Sequence, residues 1–428
     1  MRRLLPAALL LLALASCSQA APQAFAPDPT PSPSAAAPRA QLDLKALAAL
    51  HAALRTALTA HLHDGSLDLA WGPGAALAPS GPYAQASPEV DAAALQALRD
   101  GAPPSTTAAA STAVTDAYKQ LDGPRGGAYL LLADAAHPAA PGGPVAVDTP
   151  VACPTPTAGG ARPECLRKQV SDGLMAAWYA RDTRMFFQVG ATSTVYRPVD
   201  AIAVGAALLV AGYQLRDDAK IDAGTQVLLH EMKTDLDDHY GLLFGLVTAT
   251  AEGGHSVTDY NTNLADQAGA AEAMMEAFDY SREAQQQGFA QKLLQPLLDE
   301  KFPARPTAGG YIKGFDLQSS GPRDHAPVDI LAAVLALQAA RHYDRDDGGR
   351  FSHLEELAAA ALLAAAASDA RAGGDASAGL PAGLPEAGVA QRSGLTTAIA
   401  TTVLADVLHQ LDQPGAPASA GAAPTASP

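Results

Sequence analysis

The sequence predicts an all-α protein: a ring of five to six α-helical hairpins with short β-like turns along one rim. Three observations predict it. A unit of two helices repeats along the chain, its two helices differ systematically in where their apolar residues fall, and a short strand-like segment follows each pair.

The repeat is anchored by Asp200, Asp266 and Asp329, at intervals of 66 and 63 residues. Sixteen positions after each stands Arg216, Arg282 or Arg345, followed by an acid: Asp217, Glu283 or Asp346. Between Asp and Arg lie AIAVGAALLVAGYQL, QAGAAEAMMEAFDYS and ILAAVLALQAARHYD, free of Pro and apolar around most of the circumference. A helix of that kind must be covered on nearly all sides. The segments after each Arg-acid pair are one-sided instead. Ile221, Leu228, Leu229, Met232 and Leu236 form one stripe. Phe289, Leu293, Leu294, Leu297 and Leu298 form the second, and Phe351, Leu354, Leu357, Ala361 and Leu362 the third. Fully apolar helices alternating with amphipathic ones imply an inner ring walled in by an outer one. Repeats of this size with two helices each indicate an array or a closed toroid.

Strand-like segments are expected at 67–72, 127–133, 185–190, 241–247 and 309–315. Start signals follow them. Pro198-Val199-Asp200 and Pro327-Val328-Asp329 put Pro at the first helical position and Asp at the third, and Asn263 caps a helix with Asp266 at the same third position. Further outer helices are expected at 44–63 and 164–178, and inner ones at 88–100 and 394–411, the last capped by Ser393. The Pro/Gly-rich stretch 134–163 lacks the inner helix that the pattern requires there.

The ends have a different character. Arg2 and Arg3, the apolar run from Leu4 to Leu14 and small residues before Cys17 describe a secretory signal over 1–16. Leu14-Ala15-Ser16-Cys17 resembles the bacterial lipobox, which makes Cys17 the acylated first residue and places the protein in the cell envelope, lipid-anchored and outside the cytoplasm. No other stretch approaches eighteen consecutive apolar residues. Residues 17–40 form a Pro/Ala/Ser tether, 41–411 the toroid domain, and 412–428 a tail expected to be disordered. In an exported chain Cys153 and Cys165 read as a disulfide, worth about 3 kcal/mol for a loop of about thirteen residues.

Net charge is −16, from 44 acidic against 28 basic residues without a basic cluster, which argues against a nucleic-acid partner. No nucleotide-binding GxGxxG, no GxxxxGK[ST] and no GxSxG elbow occurs, and no cofactor is expected. Asp235, Asp237, Asp238 and His239 lack the ordered ligands of a calcium loop and read as a solvated turn, so no metal ligands are expected.

The unit 263–315, NLADQAGAAEAMMEAFDYSREAQQQGFAQKLLQPLLDEKF…GGYIKGF, resembles hairpins of the six-hairpin (α/α)6-toroid superfamily. It is most similar to the toroid domain of bacterial thioredoxin-like proteins related to spermatogenesis-associated proteins, without their CxxC, and more distantly to N-acylglucosamine 2-epimerases and several glycoside hydrolases. The resemblance spans about 165–411, with a weaker likeness over 41–134, and implies that the rim bearing strand-like turns and inner-helix N-termini is the binding face.

Candidate site residues follow from that placement. Asp200, Asp266 and Asp329 would ring the funnel mouth, where paired carboxylates suit glycosidic cleavage. Their presence in every unit favours a structural role at the helix dipole, which makes residues that break the repeat the better catalytic candidates. Arg323, Asp324 and His325 break the repeat and offer a cation, a carboxylate and an imidazole. Tyr196, Arg197, Asp259 and Tyr260 occupy the equivalent connections as sugar-binding candidates. Trp178-Tyr179, at the end of an amphipathic helix, reads as core. Two functions fit: a membrane-anchored carbohydrate-active protein of hydrolase, lyase or epimerase type, or a non-catalytic lipoprotein that binds a glycan or peptide or serves as a scaffold. The low aromatic content, 5%, leans toward the second.

Overall fold

The computed structural model describes residues 41–72, 87–98, 103, 105–107, 109, 127–128, 131, 163–177, 179–180, 185–186, 194–249, 255–298, 311–312, 314–322, 328–371, 379–381, 383–384 and 391–411. Its long helices are α1 (Leu44–Ala60), α2 (Ser87–Leu98), α3 (Pro163–Ala177), α4 (Pro198–Leu215), α5 (Asp218–Thr234), α6 (Leu264–Ser281), α7 (Ala284–Leu298), α8 (Ile330–Asp347), α9 (Ser352–Arg371) and α10 (Gly394–Leu411).

They build an α/α toroid. The inner helices follow one another side by side as α2, α10, α8, α6 and α4, and each hairpin lays α5, α7 or α9 outside α4, α6 or α8. α1 packs on α10, so the first and last helices make the closing pair. Buried residues cover most of the circumference of α4, α6 and α8, as their composition requires. α4 illustrates the point: its length and hydropathy would suit a membrane span, contrary to the sequence expectation, but it is buried among its neighbours. The gap between α4 and α2 is filled by Ala128 and Leu131, which share a core with Ala92, Leu95, Val204 and Leu208. Gly127, Ala128 and Leu131 are helical, which corrects the strand-like reading of 127–133.

The outer faces follow the expected stripes for α7 and α9, with Phe289, Leu293, Leu294, Leu354 and Leu362 buried. In α5 the buried face is turned: Lys220, Ala223, Gly224, Val227, Leu228 and Glu231 point inward, while Ile221 and Leu229 are half-buried. The reason is Gly224. A Cβ there would lie 2.5 Å from the Gly205 carbonyl oxygen of α4, so only glycine lets the two backbones meet along this line.

Short antiparallel strands run into the inner helices α4, α6, α8 and α10 and put their N-termini on one rim. Val195–Tyr196 pairs with Leu246–Ala249, which pairs with His255–Asp259. Asn261–Thr262 pairs with Phe315–Asp316, Val328–Asp329 with Tyr311–Ile312 and Gly383–Leu384, and Arg392–Ser393 with Ala70–Trp71. Helix starts match the expectation at Pro198, at Asn263, which accepts from the Ala265 amide (3.0 Å), and at Ser393, which accepts from Thr396 (3.2 Å). Asp329 differs. The pairing of Val328–Asp329 keeps the backbone extended one residue longer, so Asp329 is the N-cap rather than the third helical residue, accepting from the Ala332 amide at 3.2 Å. At the far ends Arg216 and Arg282 are left-handed C-caps, whereas Arg345 stays inside α8 and Gly348 takes that role.

Candidate functional site

The strands place Arg197 at the start of α4, facing the neighbouring inner helix. Its guanidinium pairs with Asp266 of α6 and reaches Asp200, one turn into α4, at 3.5 Å. Asp200 is half-buried, Asp266 nearly fully buried. Burial, then the charge of Asp329, push the Asp266 carboxyl well above the usual carboxylate range, while Arg197 offers it a cation. Two acids from neighbouring inner helices thus meet at one arginine on the rim, with the charge of Asp329, the N-cap of the next inner helix, acting on Asp266.

The remaining predicted residues divide. Tyr196 does not open on the mouth: it is buried, its hydroxyl donating to Asp235 (2.7 Å) and lying 3.3 Å from His230 Nε2. Asp259 holds its own turn, accepting from the Asn261 amide (3.0 Å) and side chain (2.5 Å). Tyr260 is 39% exposed and meets Phe244 edge-on, leaving ring surface for a ligand. Arg323, Asp324, His325, Trp178, Cys17 and Cys153 lie outside the described residues, while Cys165 sits half-buried in the first turn of α3.

Several polar groups escaped the sequence reading. Gln267 of α6 braces the rim: its Oε1 accepts from the Leu243 amide (3.0 Å), and its Nε2 donates to the carbonyls of Gly241 (2.8 Å) and Leu293 (3.1 Å). Asp235, expected in a solvated turn, is fully buried, with Asp237 making the local turn through the amides of His239 (3.1 Å) and Tyr240 (2.7 Å). The signal for Asp235 was its i, i+4 relation to Glu231 on the inward face of α5.

Among the described residues two groups have metal-ligand proximity: His230, Glu231 and Asp235, and Glu272, Glu276 and His342. The second is a closed ionic network between α6 and α8. His342 faces Glu272 through Nδ1 (3.0 Å) and Asp279 through Nε2 (3.0 Å), so both nitrogens carry protons and neither has a lone pair for a metal. Burial opposes that charge, but Glu272 and Asp279 outweigh it and push His342 to about 10. Glu276 is raised by burial to about 7.

No protein-family model matches the chain, and no curated protein matches it by sequence. Solved structures do. An unsaturated glucuronyl hydrolase from Bacillus sp. GL1 superposes with a TM-score of 0.60 at 11% identity, over 85% of this chain and 96% of that one. A heparin-specific unsaturated glucuronyl hydrolase gives 0.58 at 12% identity over 86% and 97%. An α-1,6-mannanase of glycoside hydrolase family 76 from Salegentibacter gives 0.55 at 11% over 86% and 99%. An inactive variant of that mannanase has been seen with α-1,6-mannotetrose. These are toroid glycosidases, and at such identities the likeness is one of fold.

Proposed function

We propose that this chain is a glycoside hydrolase acting at the rim of its toroid. The observation that carries this reading is Arg197 joining Asp200 and Asp266 at the mouth formed by inner-helix N-termini. Asp266, whose carboxyl is held toward its protonated form, is the general acid for the leaving oxygen. Asp200, nearer solvent, is its carboxylate partner, and Arg197 fixes the spacing between them. Tyr260 supplies a ring on which a sugar stacks. Asp329, committed to the Ala332 amide, tunes Asp266 through its charge.

Reducing-sugar release by the full-length protein in detergent tests this, on a panel that includes α-1,6-mannan and unsaturated uronyl oligosaccharides. Asp266→Asn and Asp200→Asn are each expected to lose about 100-fold or more in turnover, as removal of a general acid or its partner does. Absence of turnover on every glycan, or full activity in both variants, overturns the proposal. The cap role of Asp329 favours a second reading, a non-catalytic glycan binder, which glycan-array binding without turnover would reveal.

The placement proposed for the protein is the outer face of a membrane, through lipid on Cys17 and the tether 17–40, with Cys153 bonded to Cys165. The likeness of 263–315 to toroid domains of thioredoxin-like proteins concerns the scaffold alone. Cys17→Ser is expected to release the protein from membranes, and unchanged fractionation would remove the anchor from the proposal.

A further inference from the structure

Behind the rim strand Val195–Tyr196, which leads into Arg197, two elements bring four unlike donors together. His230 and Glu231 come from the last turns of α5, Asp235 from its C-cap, and His255 from the strand His255–Asp259. Ligand atoms of His230, Glu231 and Asp235 all lie within 4.8 Å of one another, and His255 Nδ1 stands 3.9 Å from Asp235 Oδ1. Glu231 is 0% exposed, and neither of its carboxylate oxygens meets an N–H or O–H donor among the described residues; what stands against it is the Asp235 carboxyl, a second acid, which with burial raises its pKa. Asp235 Oδ1 is in the same condition, while its Oδ2 accepts from the Tyr196 hydroxyl.

A buried carboxylate with both oxygens unmet costs several kcal/mol unless something supplies positive charge. Lys233, the basic residue in the last turn of α5, is exposed, and no salt bridge joins a lysine or arginine to Glu231 or Asp235 among the described residues. Protonation would relieve one carboxyl but would leave two imidazoles and a second acid crowded without a use. A divalent cation satisfies all of them at once.

We propose that His230, Glu231 and Asp235 bind a first-row divalent metal of the Zn²⁺ type, with His255 as a fourth ligand. Mixed imidazole and carboxylate donors select such an ion over Ca²⁺ or Mg²⁺, which prefer oxygen alone. Tyr196 orients Asp235 from behind, as outer-shell partners of metal ligands do. Because Tyr196 is the residue before Arg197, the ion ties the outer helix α5 to the strand that positions the mouth. Its role is to hold the rim, and it takes no part in bond cleavage.

The test is metal uptake by the untagged full-length protein in detergent, stripped with a chelator and titrated with Zn²⁺. One equivalent is expected to bind and to raise the melting temperature. Co²⁺ in its place is expected to show visible d–d bands shaped by imidazole ligation. Glu231→Gln, which keeps the shape and removes the unmet charge, is expected to fold without metal and to bind Zn²⁺ at least tenfold more weakly. His230→Gln is expected to shift the Co²⁺ spectrum. No stoichiometric uptake by the wild type, or uptake and Co²⁺ bands unchanged in both variants, overturns the proposal. These readouts do not involve a glycan, so they stand or fall apart from the hydrolase reading.

Discussion

Arg392 and Asp369 form a two-pronged ion pair inside the protein, Nη1 to Oδ1 at 2.7 Å and Nη2 to Oδ2 at 2.6 Å, with side chains only 3% and 4% exposed. Arg392 belongs to the strand ahead of α10, which pairs with Ala70–Trp71, and Asp369 to the end of α9, so the pair fastens the N-terminal rim to an outer helix. Removing one partner strands a buried charge. Asp369→Asn is therefore expected to cost on the order of 3 to 5 kcal/mol by chemical denaturation. Arg392→Met with Asp369→Leu is expected to cost much less than the single change. An unaltered midpoint for Asp369→Asn would show that the pair contributes nothing.

Two glycines give opposite predictions from the same substitution. Gly224→Ala places a methyl 2.5 Å from a backbone oxygen of α4 and 2.7 Å from the Leu209 nitrogen, and forces two helices apart. It is expected to destabilise by about 1 to 3 kcal/mol. Gly288→Ala, in α7, meets nothing within 4 Å and is expected to stabilise by up to about 1 kcal/mol through helix propensity. Equal shifts for the two would contradict the packing described.

The network between α6 and α8 makes stability fall as pH rises. Glu276 is raised from 4.5 to about 7, so its contribution is complete below pH 4.5 and is lost as pH climbs through 7. His342 is raised from 6.5 to about 10, so its share is complete below pH 6.5 and is lost through pH 10. Asp279, held below its usual value by His342 despite burial, acts the other way only in acid. Glu276→Gln, which mimics the protonated form, is expected to gain on the wild type steadily between pH 4.5 and 7.5 in urea titrations. Parallel stability curves would refute the assignment.

Tyr260 is the ring of the proposed sugar site: it is 39% exposed and meets Phe244 in a T-shaped pair. Tyr260→Ala is expected to leave the melting temperature unchanged and to weaken glycan binding about fivefold to tenfold, the scale of one aromatic contact. Binding that survives intact would move the ligand elsewhere on the rim.

The layered architecture was legible because burial leaves a direct trace in composition. α4 can be apolar all round only if other helices wall it in, and α10 spans the expected 394–411. The details that failed share one cause, interactions between residues distant in the chain. Pro327 looked like a helix start, but pairing with Tyr311–Ile312 and Gly383–Leu384 keeps Val328–Asp329 extended. The inward face of α5 was read only in part: Leu228, Met232 and Leu236 pack on the core as expected, but the approach of Gly224 to Gly205 also brings Glu231 inside. Asp200 and Asp266 were found by their repetition, yet what joins them is Arg197, whose reach across hairpins no local pattern announces. Tyr196 was expected beside it on the mouth, but alternation along a strand sends neighbours to opposite faces, and Tyr196 points inward.

That α1 is completed by α10 means the two ends of the domain finish each other. Gln41, ahead of α1, even donates its amide to Glu356 of α9 at 2.6 Å. A chain emerging in order can assemble the hairpins α4–α5, α6–α7 and α8–α9 as local events, but its opening helix lacks its main packing partner until the final one arrives. The last step of folding is then a long-range closure across nearly the whole domain, slow by its nature. Loss of the terminal helix would orphan the opening one as well, so a truncation at one end should be felt at the other.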